Sequence, residues 1–157
     1  MYKSLIRPRK AVSGDKVAVL SPSFAAPAVA PEVHEQAMRR LEELTGLVPV
    51  EYPTTRRLGA STRDRAADLN AAFADPEIRA VPATIGGEDQ ITDVPHLDPD
   101  LVRADPKPFL GYSDNTNLLN WLWTHGVAGF YGGSTRSSSD QVPPPTRCTP
   151  PRCVLRC

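Results

Sequence analysis

Apolar and polar residues alternate between two patterns along the first 131 positions, and the first three elements show both. The short apolar run 17–20 has the pattern of a buried strand and ends at a Ser-Pro-Ser turn. Apolar residues then recur at spacings of four, four and three, which predicts a helix that begins near Pro31 and ends at Gly46. Positions 47–52 follow as a second strand.

The same alternation continues to residue 131. Ser61 and Asp64 resemble a capping box with Asp in place of the usual Glu, and they open a helix that ends at Asp75-Pro76. Pro82 has no N–H to donate, so it predicts an edge position or a local break in the strand around it. The remaining predicted elements are strands 80–85, 109–112 and 127–131 and a helix over 115–125.

Strands that alternate with helices pair in parallel through right-handed crossovers, and the helices then cover both faces of the sheet. We therefore predict an α/β fold with an open, mostly parallel sheet between two layers of helices. The composition agrees with a globular domain, because 40% of the residues are hydrophobic and 23% are charged.

The charge balance argues against two classes of partner. Eighteen basic residues balance 18 acidic ones, so the chain has no electrostatic footprint for nucleic acid or for an anionic membrane. The N-terminal residues lack the apolar region of a signal peptide, and no apolar stretch approaches the roughly 20 residues of a spanning helix. We expect a cytoplasmic protein.

The last 22 residues differ in composition from the rest of the chain. Positions 136–157 are rich in Pro and Ser and hold all three cysteines, and no apolar period continues there. We expect this tail to be disordered, as out-of-frame or spliced-on sequence or as a genuine disordered tail. Three crowded cysteines form a poor disulfide framework and lack the fourth ligand of a zinc site, so we predict neither a metal nor a cofactor.

Residues 111–115, Gly-Tyr-Ser-Asp-Asn, form the first of two loops that could support chemistry. A serine between a strand and a helix is lifted out of the sheet, as in a nucleophile elbow, although Asn115 replaces the usual second glycine. The backbone N–H of Asp114 would point to where an oxyanion forms. The alternative is that Ser113 or Asp114 simply caps the helix.

Residues 83–89 form the second loop, which contains Gly86 and Gly87. Paired glycines let the backbone approach a ligand and present N–H groups to a negative oxygen, although a plain turn is the alternative. Both loops follow parallel strands, so both belong at the C-terminal edge of the sheet, where open α/β folds bind ligands. A serine that faces a glycine-rich loop is an arrangement for acyl transfer.

Several segments together resemble the LD-carboxypeptidase family of serine peptidases. Residues 107–118, KPFLGYSDNTNL, resemble its nucleophile segment, and residues 83–87, ATIGG, resemble its glycine loop. Further similarity lies in residues 14–23, 63–78 and 129–134, in the same order along the chain. The residues of both loops are closer to those of the branch with microcin-C-immunity peptidases than to those of murein tetrapeptide carboxypeptidases.

The resemblance implies a flavodoxin-like or amidotransferase-like N-terminal domain over residues 1–135, with Ser113 as the nucleophile. It implies an oxyanion hole from the backbone N–H groups of Asp114 and Gly87, with Gly86 in the substrate loop. It also implies a cytoplasmic, often homodimeric hydrolase of murein or microcin-like peptides with no metal and a Ser–His–Glu triad. The Glu and His of that triad lie in a C-terminal domain to which nothing in this chain corresponds.

The three histidines are weak candidates for a base within this chain. His125 lies on the order of 18 Å from Ser113 along the predicted helix, and His34 is expected to be a solvated surface residue. His96 is the one geometric possibility, although a surface histidine is its ordinary explanation. A serine without a base is a poor nucleophile, so we expect the chain alone to be nearly inactive.

Two other interpretations stay open at this stage. The chain could be a non-catalytic α/β module whose glycine loop binds a small anionic ligand, or a remnant with no selected role. We also expect an exposed apolar patch, and hence self-association, where a second domain would normally pack.

Overall fold

In the computed structural model, residues 5–133 and 135 are described, and they form a five-stranded sheet with helices on both faces. The strands are β1 (Lys16–Val19), β2 (Val48–Glu51), β3 (Ile78–Pro82), β4 (Phe109–Gly111) and β5 (Phe130–Tyr131). The helices are α1 (Ala26–Val29), α2 (Pro31–Thr45), α3 (Thr62–Ala74), α4 (Pro99–Ala104) and α5 (Thr116–Thr124). Single 3-10 turns occupy Gln90–Thr92, Val94–His96 and Ser113–Asn115. The predicted tail 136–157 lies outside the described residues.

The strands are all parallel and lie in the order β2-β1-β3-β4-β5, which confirms the predicted fold class. This is the strand order of flavodoxin-like folds. From β1 the chain moves to one side of the sheet to form β2, then crosses to the other side to form β3. The loops that follow β1 and β3 therefore diverge, and a cleft opens between them at the C-terminal edge.

The apolar run of β1 is continuous because the strand is buried on both faces. Val17 and Val19 pack against α2, where Ala37 and Met38 are buried. Ala18 and Leu20 belong to the larger core on the opposite face, with residues of α3 and α5 that include Leu69, Phe73, Leu118 and Leu122. A strand with helices on both sides cannot show an apolar-polar alternation, which explains the sequence pattern.

Pro82 does not mark an edge strand, so that part of the prediction is wrong. β3 lies between β1 and β4, and it spans 78–82 rather than the predicted 80–85. The regular strand ends at Pro82, but the sheet is not broken there. Pairing still continues past it, because the Leu20 N–H donates to the Pro82 carbonyl at 3.2 Å and the Thr84 N–H donates to the Leu20 carbonyl at 2.8 Å.

Lys107 lies just before β4, and its side chain is fully buried. Its Nζ donates to the carbonyl oxygens of Ala72 (2.9 Å), Phe73 (2.8 Å) and Asp75 (2.5 Å) at the C-terminal end of α3. The carboxylate of Asp105 lies 3.4 Å away, and burial lowers the pKa of the ammonium group. Lys107 thus satisfies carbonyls that a helix end leaves without partners, and it fixes α3 to the start of β4.

Substituting Lys107→Met should lower the free energy of unfolding by about 2–3 kcal/mol, because the substitution leaves buried carbonyls without a donor. Urea denaturation followed by circular dichroism measures the change. Lys16→Met is the matched control, since Lys16 forms an exposed ion pair with Glu77 and should contribute far less. Equal effects of the two substitutions would contradict the role assigned to Lys107.

Large apolar side chains are exposed around β5, which is an edge strand. Trp123 is 63% exposed and Tyr131 is 72% exposed, and Leu5, which lines the same hollow, is also exposed. These three residues are called the β5 patch below. Among the residues described, no helix is long and apolar enough to cross a membrane.

We expect the β5 patch to drive self-association of the isolated chain. The average mass from light scattering should rise with protein concentration, and the double substitution Trp123→Ser with Tyr131→Ser should reduce that rise. Leu44→Ser is the control, because Leu44 is equally exposed but lies on α2. A wild-type chain that stays monomeric at all concentrations would contradict the expectation.

Candidate active site

An open cleft of about 720 Å³ lies at the C-terminal edge of the sheet, where the loops after β1, β3 and β4 meet. It is the position at which folds of this strand order bind ligands. Its walls are formed by Ser23, Phe24, Ile85, Gly86, Gly87, Glu88, Asp89, Tyr112 and Ser113.

Ser113 has the backbone and the exposure of a serine on a nucleophile elbow. Its φ is 58°, and it is the one non-glycine residue with positive φ among residues 5–133 and 135. The left-handed conformation is costly for a residue with a side chain and recurs at functional sites. The residue is exposed at the cleft, at the junction of β4 and the turn into α5.

The alternative in which Ser113 or Asp114 caps the helix is wrong for the residues described here. No side-chain hydrogen bond caps the N-terminus of the turn Ser113–Asn115 or of α5. The Asp114 carboxylate instead accepts hydrogen bonds from Ser23, from the Gln90 N–H and from the side chain of Asn117.

Asn115 stands where nucleophile elbows usually have a second glycine, and it is fully buried. A Cβ on Gly111 would lie 2.7 Å from the Cβ of Asn115, so the first glycine is required and the asparagine fills its space. The Asn115 Nδ2 donates to the carbonyls of Tyr112 and Ile85, both at 3.1 Å. Gln90 Nε2 donates to Asn115 Oδ1 at 2.7 Å. Asn115 therefore connects the elbow to the glycine loop.

The two glycines of the second loop press against neighbouring segments of the cleft. A Cβ on Gly86 would lie 2.8 Å from the Cβ and 3.0 Å from the Oγ of Ser113. A Cβ on Gly87 would collide with the side chain of Ser23. The two loops therefore meet at one edge of the sheet, as the strand order predicts, and only backbone fits between them.

A buried ion pair anchors the far end of the glycine loop to α3. The guanidinium of Arg65 donates to Asp93 Oδ1 at 2.9 Å and to the Ala60 carbonyl at 3.0 Å, and it lies 3.1 Å from Asp89. Asp93 is fully buried. Burial raises the pKa of Asp93 to about 6, although the charge of Arg65 opposes that shift.

Because the pKa of Asp93 is higher in the folded chain than in the unfolded chain, the folded chain binds this proton more tightly. The resulting stabilisation of the folded chain is present at low pH and is lost as the pH rises through about 6. Relative to Asp93→Asn, the wild-type free energy of unfolding should therefore rise by about 2 kcal/mol between about pH 7 and about pH 4.5. Urea denaturation of both proteins across this range measures it, and a constant difference would contradict the assignment.

None of the three histidines, all in the described part of the chain, lines the cleft. The prediction that His34 is a solvated residue is wrong, since it is buried with its Nε2 3.0 Å from Glu51 Oε1. His125 caps the C-terminus of α5 and packs against Trp121, with ring centroids 4.6 Å apart and a tilt of 45° between the rings. His96 is exposed on a 3-10 turn, and its role as a base stays untested.

Sequence reasoning missed Ser23 and Phe24, which form the wall of the cleft that follows β1. It also missed Gln90, which is buried and bonded to the elbow. The available signal for Ser23 was its place after the first strand of a parallel sheet, next to the point where the strand order reverses.

Residues 17–132 match the family model that describes the LD-carboxypeptidase N-terminal domain. The chain belongs to the LD-carboxypeptidase family. It is 34% identical over 124 residues to the murein tetrapeptide carboxypeptidase of Pseudomonas aeruginosa, a match that covers 74% of this chain and 38% of that relative. It is 36% identical over 83 residues to the microcin C7 self-immunity protein MccF of Escherichia coli, covering 52% of this chain and 24% of MccF.

Solved structures of family members have the same fold. MccF in complex with aspartyl sulfamoyl adenosine aligns with a TM-score of 0.81 at 29% identity, over 89% of this chain and 42% of MccF. An MccF-like protein of Bacillus anthracis aligns with a TM-score of 0.78 at 34% identity, over 84% of this chain and 41% of that protein. This LD-carboxypeptidase chain thus spans less than half the length of the relatives it matches.

Proposed function

We propose that this chain carries the nucleophile of a serine-type LD-carboxypeptidase that cleaves an amide bond in a small peptide-like substrate. Ser113 is the nucleophile, the backbone N–H groups of Asp114 and Gly87 form the oxyanion hole, and Gly86 belongs to the loop that faces the substrate. The observation that carries the proposal is the left-handed, exposed Ser113, which lies directly against Gly86 of the loop after β3.

In the proposed reaction, Ser113 Oγ attacks the carbonyl carbon and its proton passes to a general base. The carbonyl oxygen becomes an oxyanion that accepts hydrogen bonds from the two backbone N–H groups. Collapse of this intermediate breaks the C–N bond, and the leaving amine takes the proton from the base. Water then releases the acyl group from Ser113.

The general base of this proposal comes from outside the residues that line the cleft. No histidine lines the described cleft, and the relatives are more than twice as long as the matched part of this chain. The family resemblance implies a His and a Glu from a second domain, with residues 1–135 as the nucleophile domain. Under this proposal the described residues supply the nucleophile and the oxyanion donors, and the group that activates the serine comes from that second domain.

Two relatives support the substrate class. One is a murein tetrapeptide carboxypeptidase, and a structure of MccF contains aspartyl sulfamoyl adenosine. A murein tetrapeptide and aspartyl sulfamoyl adenosine each join an amino acid residue to a larger group through an acyl linkage, which supports a murein peptide or a microcin-like peptidyl compound as the substrate. A cytoplasmic location and a homodimer, as in the family, are parts of the same proposal.

A fluorophosphonate probe should label the chain slowly at Ser113, and Ser113→Ala should abolish that labelling. Ser61→Ala is the control, because Ser61 caps α3 outside the cleft. Amide hydrolysis by the chain alone should be nearly absent, since loss of one triad member in a serine protease costs on the order of a million-fold. Mass spectrometry of the labelled peptide identifies the site.

Labelling that persists in Ser113→Ala would overturn the nucleophile assignment. Saturable binding of a small anion that survives the same substitution, without any labelling of the wild type, would favour the non-catalytic binding module.

A further inference from the structure

The carboxylate of Asp114 joins the loops after β1 and β3 to the start of α5. Its Oδ2 accepts a hydrogen bond from Ser23 Oγ, in the loop after β1, and another from the Gln90 N–H at 2.9 Å, in the loop after β3. Its Oδ1 accepts from Asn117 Nδ2 at 2.9 Å, in α5. The residue is only partly exposed, so water competes weakly for these bonds.

We propose that Asp114 is a positioning residue. Its side chain holds the loops after β1 and β3 against the elbow, in the arrangement needed for oxyanion stabilisation. This inference rests on the proposed function, because it concerns the N–H groups around Ser113. The backbone of Asp114 supplies one oxyanion donor, while its side chain fixes the segments that carry the other.

The contacts of the glycines show how the side chain acts at a distance. Gly87 lies so close to Ser23 that no side chain fits between them, and Gly86 lies against Ser113 in the same way. A shift of the Ser23 loop therefore moves Gly87 relative to Ser113. By holding Ser23, the Asp114 carboxylate sets the position of the Gly87 N–H.

Gln90 attaches the glycine loop to the elbow at further points. Its backbone N–H bonds to Asp114, and its buried side chain bonds to Asn115 through Nε2 at 2.7 Å and to the Leu118 N–H through Oε1 at 3.2 Å. The end of the glycine loop is therefore bonded to two consecutive residues of the elbow and to α5. A rotation of the elbow would break the bonds to Asp114 and Asn115 together.

The hydrogen bonds around the Asp114 side chain require a carboxylate rather than an amide. All three groups that face the Asp114 side chain are donors, and a carboxylate has only acceptors. In Asp114→Asn, one side of the group becomes an NH₂ that faces a donor, although the size and the backbone N–H are unchanged. Hydrogen bonds to the ionised group are also about twice as strong as neutral ones.

The test is the kinetics of fluorophosphonate inactivation, which separates the binding constant KI from the rate constant kinact. Asp114→Asn should lower kinact by about tenfold or more, because the oxyanion donors lose alignment, while KI changes by less than about threefold. Ser23→Ala and Asn117→Ala each remove one donor and should lower kinact by a smaller factor. A purely structural role would lower the melting temperature without this split between the two constants.

Asp64→Asn is the matched control. Asp64 lies in the first turn of α3, away from the cleft, and pairs with Arg57, so its substitution removes a carboxylate contact without touching the loops. Its kinact should equal that of the wild type.

A folded Asp114→Asn chain with the wild-type kinact would overturn the inference. If that variant fails to fold, wild-type kinact in both Ser23→Ala and Asn117→Ala would overturn it. A wild-type chain that is never labelled at Ser113 instead overturns the proposed function, so the two failures are distinguishable.

Discussion

The left-handed backbone of Ser113 is the constraint on which the rest of the site depends. A non-glycine residue in this conformation costs on the order of 1–2 kcal/mol, so the surroundings must hold it there. Gly111 leaves the space, Asn115 fills it and bonds across the turn, and Lys107 fixes the start of the strand that leads into it. The strain is therefore supported by contacts on both sides of the turn.

The order of the strands explains why that turn faces a cleft. Because the chain crosses from β2 over β1 to β3, the loops after β1 and β3 diverge and leave a gap beside the elbow. Ser23 borders the gap on one side and the glycine loop borders it on the other. The hydrogen bonds of Asp114, Gln90 and Asn115 then join these loops to the elbow.

The sequence was sufficient for the features that depend on local pattern and topology. The parallel sheet, the N-cap at Ser61 and the meeting of the two loops at one edge all follow from periodicity and turn residues. His34 was assigned wrongly because Glu35 and Gln36 follow it in sequence, whereas the fold buries it and places Glu51 of β2 within hydrogen-bond distance. The roles of Gln90 and Ser23 depend on partners 25 and 91 residues away, which no local pattern reveals.

The central claim is that the N–H groups of Asp114 and Gly87 surround the place where an oxyanion forms on Ser113. A crystal structure of the chain after reaction with a small phosphonate tests it most directly, since the phosphoryl oxygen occupies the oxyanion position. The account predicts this oxygen within about 3 Å of both backbone nitrogens. A phosphoryl oxygen that points to solvent, or that bonds to neither nitrogen, would contradict it.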